Sequence, residues 1–387
     1  MTRSDAHHGK APPPRVGKRD YALGAFTAGL LALMLFLFLG YLVGFPEVRD
    51  RIRERFSPGG EESVVDLPED VLRELVDLNA VVSNAGNPTN RPEHDTVLVR
   101  PDEAMGYVLR PGAAITGHLL ETKRPFNWDP PVLYLKTGLP QSARLRDYVE
   151  ENARLSYRYS VSEEGFRTTL PEVDSSRRIL VVGDSVAFGV GVNDGDTIAS
   201  CLQRLEGKRF RVVNAAVGGY DGRSVFKAAD RLSRDREYWA LVYIACQNDF
   251  VHGGDDWTAE AREVLAGFDG ISDRFGGRVV VCLHTYMEYN LRDVFLDQGW
   301  SDVWIGRTEA LRDSVPKLCG AFGFGYVDWS RLLEAFGREA GSVFARFALY
   351  CDHAHLAPLG NRLVAEELST RLDALEAGVV RAGRKEG

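Results

Sequence analysis

The spacing of apolar positions divides the chain near residue 178. Beyond it, unbroken apolar runs rich in β-branched residues recur: RILVVG (178–183), FRVVNAA (210–216), WALVYIAC (239–246), RVVVCLHT (278–285) and a shorter FGYVDW (324–329). Between them lie stretches with helical spacing. DTIASCLQRLEG (196–207) reads as a helix with Asp196 as its N-cap. DGRSVFKAADRLSRDRE (221–237), TAEAREVLAGF (258–268) and a segment around 303–319 follow, and Pro358 to Ala377 closes the series with proline in the first turn. Strands without a polar side, separated by helices, predict a parallel sheet covered on both faces. In such a sheet ligands sit outside the C-terminal ends of the strands.

The first half reads differently. TVLVR, GYVLR, VLYLK and RLSYRYSV are short strands between Pro and Gly, forming a small β-rich region over 96–175 that would limit access to the site. Leu67 to Val82 has apolar residues at 71, 72, 75, 76 and 78, a short amphipathic helix, and 83–93 is a loop. Tyr21 to Pro46 carries no charge over 26 residues. Roughly 20 helical residues cross a hydrocarbon core, so this segment predicts an uncleaved transmembrane anchor. It is too long for a signal peptide, and no small-residue cleavage site follows it. Residues 1–20 hold five basic groups and 49–55 hold four, a slight bias toward a cytoplasmic N-terminus. The organisation expected is a disordered tail (1–20), the anchor (21–46), a juxtamembrane linker with the short helix (47–95), the β-rich region (96–175), the α/β domain (176–378) and a tail (379–387). The α/β domain then faces outside the cytoplasm, on the periplasmic side of the inner membrane in a Gram-negative cell.

Charge and cysteine usage narrow the chemistry. A net charge of −8 with no basic block argues against nucleic acid as a partner. Five cysteines (201, 246, 282, 319, 351) contain no C-x-x-C pair, so zinc ribbons and thioredoxin-like motifs are excluded. Cys246 and Cys282 lie inside apolar runs and read as core residues.

The polar residues cluster where strands end: Gly183-Asp184-Ser185, then Asn214 with Gly218-Gly219-Tyr220, then Gln247-Asn248-Asp249, and far downstream Asp352 and His355. No Walker loop exists, and Gly189, Gly191 and Gly195 miss the dinucleotide spacing by one place. Asp184 would also repel a phosphate. A serine needs a base to become a nucleophile, and the base needs a group to fix its tautomer. Asp352 and His355, three residues apart on a turn, supply both, with Ser185 as their target. The backbone N–H groups of Ser185 and Gly219 and the amide of Asn248 suit a developing oxyanion.

These blocks resemble the SGNH, or GDSL, hydrolase superfamily. VVGDSVAFGVGV matches its first block, VVNAAVGGY its second, ACQND its third and DHAHLAPLG its last, over about 178–370. Glu164-Gly165-Phe166-Arg167 is similar to a G-F-R element that precedes this domain in many envelope members. The resemblance implies a flavodoxin-like three-layer sheet. It implies Ser185, His355 and Asp352 as catalytic triad, an oxyanion hole from Ser185, Gly219 and Asn248, and no cofactor or metal. Two departures stand out: Cys246 where the family begins its third block with glycine, and Leu356-Ala357 where Pro-Asn is common after the histidine.

Blander readings exist for each residue. Ser185 could cap the helix after it, and Asn248, Asp249 and Gly218 could merely serve turns, Asp249 especially. His353 and His355, with His284 and His252, could suggest a metal, and Tyr286 and Trp257 could line a pocket or simply pack. Together the blocks favour a membrane-anchored serine esterase acting on acyl esters, with O-acyl groups of envelope polysaccharide as substrate class. A sugar hydroxyl in place of water would make it an acyltransferase. The alternative is a non-catalytic binding or assembly component of an envelope polysaccharide system. Acyl length, oligomeric state and protein partners are not legible.

Overall fold

The computed structural model describes residues 81–83, 98–120, 132–135, 153–253, 256–291, 302–341, 343–352 and 354–378. The expected tails, the anchor at 21–46 and residues 67–80 of the expected amphipathic helix lie outside these. Among the described residues, no helix is long and apolar enough to cross a membrane.

Among the described residues, six strands precede the α/β unit: β1 (Val81–Ser83), β2 (Val99–Asp102), β3 (Gly106–Leu109), β4 (Ala114–Leu120), β5 (Val132–Leu135) and β6 (Ala153–Ser160). β2 and β3 form a hairpin, and the other four an antiparallel sheet in the order β1-β5-β4-β6. One expectation is corrected here. Val81, Val82 and Ser83 pair with Val132–Tyr134 as a strand rather than ending a helix and opening a loop. β4, the strand that pairs with both β5 and β6, carries no alternating signal in the sequence. Its Gly117 faces Tyr157 of β6, and a Cβ there would lie 2.1 Å from the tyrosine ring. The aromatic fills the space that a side chain would have used to announce the strand.

The main sheet contains β7 (Arg178–Gly183), β8 (Arg211–Asn214), β9 (Ala240–Cys246), β10 (Val279–His284) and β11 (Gly325–Asp328), all parallel, in the order β11-β10-β9-β7-β8. Numbered within the sheet this is 2-1-3-4-5, the flavodoxin-like order. Every residue of β9 and β10 is buried, which is why these strands read as unbroken apolar runs. Each fully buried Val, Leu or Ile contributes about 1.5–3 kcal/mol by leaving water.

Among the described residues, eight helices belong to this unit: α1 (Ser185–Phe188), α2 (Ile198–Glu206), α3 (Gly222–Asp235), α4 (Trp257–Ile271), α5 (Met287–Asn290), α6 (Asp302–Phe322), α7 (Trp329–Glu339) and α8 (Pro358–Glu376). α2 packs on α8 and α8 on α7, whereas α3 packs on α4 and α4 on α6. Right-handed crossovers place these two sets on opposite faces, giving three layers. The cap of α2 is Thr197, whose hydroxyl accepts from the Ser200 N–H, rather than Asp196, which lies in a preceding 3₁₀ turn. α7 was hidden in the sequence directly behind β11, although Asp328 caps it by accepting from the Arg331 N–H.

β7 is the switch point of the sheet, flanked by β8 on one side and β9 on the other. The chain therefore leaves toward opposite faces of the sheet after β7 and after β9, opening a crevice between their C-terminal ends. Ser185 and Asn248 follow β7 and β9 at that crevice.

Candidate active site

Ser185 opens α1, and its position is set by the residue before it. Asp184 is fully buried and caps the short helix by accepting from the Val186 N–H at 2.9 Å. Gly183 allows the crowding this requires, since a Cβ there would lie 2.6 Å from the Ile244 carbonyl oxygen and from Ala187 Cβ. Asp184, not Ser185, is thus the capping residue, and the serine hydroxyl, 3.4 Å from Asp184 Oδ2, has a nearer partner.

That partner arrives from 170 residues away. His355 Nε2 lies 2.9 Å from Ser185 Oγ, and His355 Nδ1 lies 2.7 Å from Asp352 Oδ2. A carboxylate only accepts, so Nδ1 carries the proton and Nε2 is the lone-pair nitrogen facing the serine O–H. The other oxygen of Asp352 accepts from the N–H groups of Ala354 and His355 at 2.8 and 2.7 Å. The Asp352–His355 turn is closed by Cys351 N–H to the His355 carbonyl at 2.8 Å.

His284, at the end of β10, was a candidate ligand on sequence and has a different use. Its Nε2 lies 2.7 Å from the Ala354 carbonyl, which can only accept, so the ring donates. Burial lowers its pKa to about 3 and keeps it neutral. It tethers the turn that carries His355. Among the described residues, no group of three or more His, Cys, Asp and Glu stands close enough to hold a metal ion. His353 lies outside the described residues.

The three residues expected to donate to an oxyanion, Ser185, Gly219 and Asn248, follow the C-terminal ends of β7, β8 and β9. The Ser185 N–H is at the first position of α1, where a helix offers no internal acceptor. Gly219 is exposed at φ +82°, a conformation that favours glycine. A methyl group on the adjoining Gly218 would stand 3.9 Å from Ser185 Cβ, so this loop borders Ser185 directly. Asn248 donates through Nδ2 to Asp184 Oδ2 at 3.0 Å, leaving the second hydrogen of the same amide for a ligand.

Asp249, expected to be a plain turn residue, is fully buried behind the site. Its Oδ2 accepts from the Tyr243 hydroxyl at 2.6 Å and from the Cys246 N–H at 3.2 Å. Burial first, and the charge of Asp184 second, push its pKa well above the usual carboxylate range. Asp184 is shifted upward too, again by burial, against the hydrogen bonds from Val186 and Asn248. Cys246 therefore sits on a backbone held by Asp249. Trp257 is buried core, Tyr286 is partly buried, and all five cysteines are buried.

The small sheet grips the loop that follows Ser185. Arg167 is buried and paired with Asp194; it donates to the carbonyls of Phe188 and Val192 at 3.3 Å and lies over the rings of Tyr159 and Phe188. β6 adds the Ser160 N–H to Asp194 at 2.9 Å and the Tyr159 hydroxyl, which accepts from Gly191 N–H at 2.7 Å.

No family model matches the chain, and no curated protein does. Solved structures similar to it include TesA, at 20% identity over 51% of this chain and 99% of that one, with a TM-score of 0.40. A carbohydrate acetylesterase family member from Sinorhizobium meliloti is similar at 14% identity over 52% and 99%, with a TM-score of 0.39. A putative GDSL-like lipase from Parabacteroides merdae is similar at 17% identity over 52% and 99%, with a TM-score of 0.40.

Proposed function

We propose that the chain is a serine hydrolase of acyl esters. The observation that supports this most is the Ser185–His355–Asp352 alignment: 2.9 Å and 2.7 Å hydrogen bonds join the three groups across 170 residues of chain. His355 Nε2 takes the Ser185 proton as Oγ attacks the ester carbonyl, and the imidazolium is steadied by Asp352. The oxyanion rests on Ser185 N–H, Gly219 N–H and Asn248 Nδ2. Collapse of the tetrahedral adduct expels the alcohol, which receives the proton from His355. Water then attacks the acyl-serine with His355 as base, and the acid leaves. With a sugar hydroxyl as acceptor, the same residues carry out acyl transfer.

The uncharged segment at 21–46 and the G-F-R resemblance support a membrane-anchored enzyme facing outside the cytoplasm, acting on O-acyl groups of envelope polysaccharide. Protease accessibility of the full chain in sealed membrane vesicles tests that orientation. The reaction itself is tested with p-nitrophenyl acetate and longer esters. Ser185→Ala should lower kcat by on the order of 10⁵–10⁶ without altering thermal stability, and Asp352→Asn by about 10⁴. A Ser185→Ala variant that keeps a hundredth of the activity overturns the proposal.

A further inference from the structure

The β2–β3 hairpin lies outside the segment that carries the hydrolase motifs, yet one of its side chains reaches the oxyanion loop. The Tyr107 hydroxyl donates to the Gly218 carbonyl at 3.0 Å, across 111 residues. The hold is reciprocal, since the Tyr220 hydroxyl donates to the Tyr107 carbonyl and the two rings meet edge to face with centroids 5.3 Å apart. Asp102, in the same hairpin, accepts from Arg231 Nη1 of α3 on both oxygens, at 3.1 and 3.0 Å.

The Gly218 carbonyl and the Gly219 N–H belong to one peptide unit. That unit is planar, and in the trans form its C=O and N–H point in opposite directions. Fixing the carbonyl fixes the N–H. Gly218 and Gly219 have no side chains to steady this plane, and the Tyr220 N–H, which donates to the Val217 carbonyl at 3.3 Å, closes the turn around the 218–219 peptide without bonding to it. A donor on the carbonyl oxygen also polarises the amide and strengthens its N–H as a donor.

On the reading of Gly219 as an oxyanion donor, we infer that Tyr107 is a positioning residue for catalysis: its hydroxyl orients the 218–219 peptide so that the Gly219 N–H faces the acyl oxygen bound at Ser185. The β-rich part of the chain then completes the oxyanion hole of the α/β part.

The test compares the full chain with Tyr107→Phe, which keeps the ring against Tyr220 and removes only the hydroxyl. Deleting an oxyanion donor outright costs about 10²–10³ in rate; here the donor stays but its plane is released, so kcat should fall about tenfold or more. KM should stay within about twofold, because the ground-state ester makes less use of this donor. Affinity for an alkyl boronic acid, whose serine adduct is tetrahedral, should fall in step with kcat. The melting temperature and near-ultraviolet circular dichroism should be unchanged. A merely structural tyrosine would lower the melting temperature and leave boronate affinity alone. Ser185→Ala is assayed in parallel. If it is inactive while Tyr107→Phe retains the original kcat and boronate affinity, the positioning inference fails and the hydrolase reading stands. If Ser185→Ala retains activity, both fail.

Discussion

Arg167 offers a stability prediction that can be worked from its surroundings. The side chain is 1% exposed. Its guanidinium is paired with Asp194, donates to the carbonyls of Phe188, Val192 and Ser160 at 3.3, 3.3 and 3.4 Å, and lies 4.7 Å and 5.0 Å from the Tyr159 and Phe188 ring centroids. Arg167→Met preserves much of the volume and removes every polar contact at once. Breaking a buried ion pair from one side costs about 3–5 kcal/mol. Asp194 is partly exposed and keeps the Ser160 N–H at 2.9 Å, which places the loss at the lower end, about 3 kcal/mol. At about 2 °C or more per kcal/mol for a domain of this size, the melting temperature should drop by about 6 °C or more. Urea unfolding followed by circular dichroism measures the loss directly. Arg167→Lys should not restore it, because one ammonium cannot reach carbonyls spread around a planar fork. In the double variant with Asp194→Asn the combined loss should fall short of the sum. A cost below about 1 kcal/mol for Arg167→Met would refute the reasoning, since it would mean that the ion pair and its three carbonyl bonds contribute almost nothing net.

Two further outcomes concern pH. His284 has its pKa lowered to about 3 by burial, so between pH 6.5 and 3 the unfolded chain binds a proton that the folded chain refuses, and stability falls as pH falls through that window. His284→Gln should flatten this slope, by up to about 1.4 kcal/mol per pH unit, in urea titrations at pH 7 and 5; parallel losses in both proteins would contradict the assignment. Asp249 has the opposite sign. Its pKa is raised in the fold, so above its ordinary value the unfolded chain releases a proton that the folded one retains, and stability is lost as pH rises. Asp249→Asn should therefore be the more stable protein at pH 8, with the advantage narrowing toward pH 4. An advantage that is constant with pH would show that the carboxyl is ionised in the fold.

Much of the α/β part was legible because burial on both faces leaves a simple mark. β7 from Ile179 and the whole of β9 are buried apolar runs, and the sharp change to Gly-Asp-Ser at the end of β7 or to Gln-Asn-Asp after β9 is where they meet the crevice. The residues gathered at Ser185 were legible for a related reason: His355 and Asp352 need only a three-residue turn to carry them, so the pattern survives in the sequence. What stayed hidden depends on partners far along the chain. β4 is concealed by Gly117, whose space Tyr157 takes. Asp249 looks like a turn residue until Tyr243 is found beside it. Tyr107 and His284 act through backbone carbonyls, which every residue possesses, so no side-chain pattern marks the places they hold. The cap of α2 was misplaced by one residue because Asp196 and Thr197 are both good caps and only the backbone decides between them.

The most direct measurement is the reaction of the folded full chain with a fluorophosphonate, followed by peptide mapping. A hydroxyl 2.9 Å from an imidazole nitrogen that is held by a carboxylate should be phosphonylated in preference to every other serine. The account expects one adduct per chain, on Ser185, formed far more slowly in His355→Ala. A folded protein that takes up no probe, or one that is labelled equally after Ser185→Ala, would contradict it.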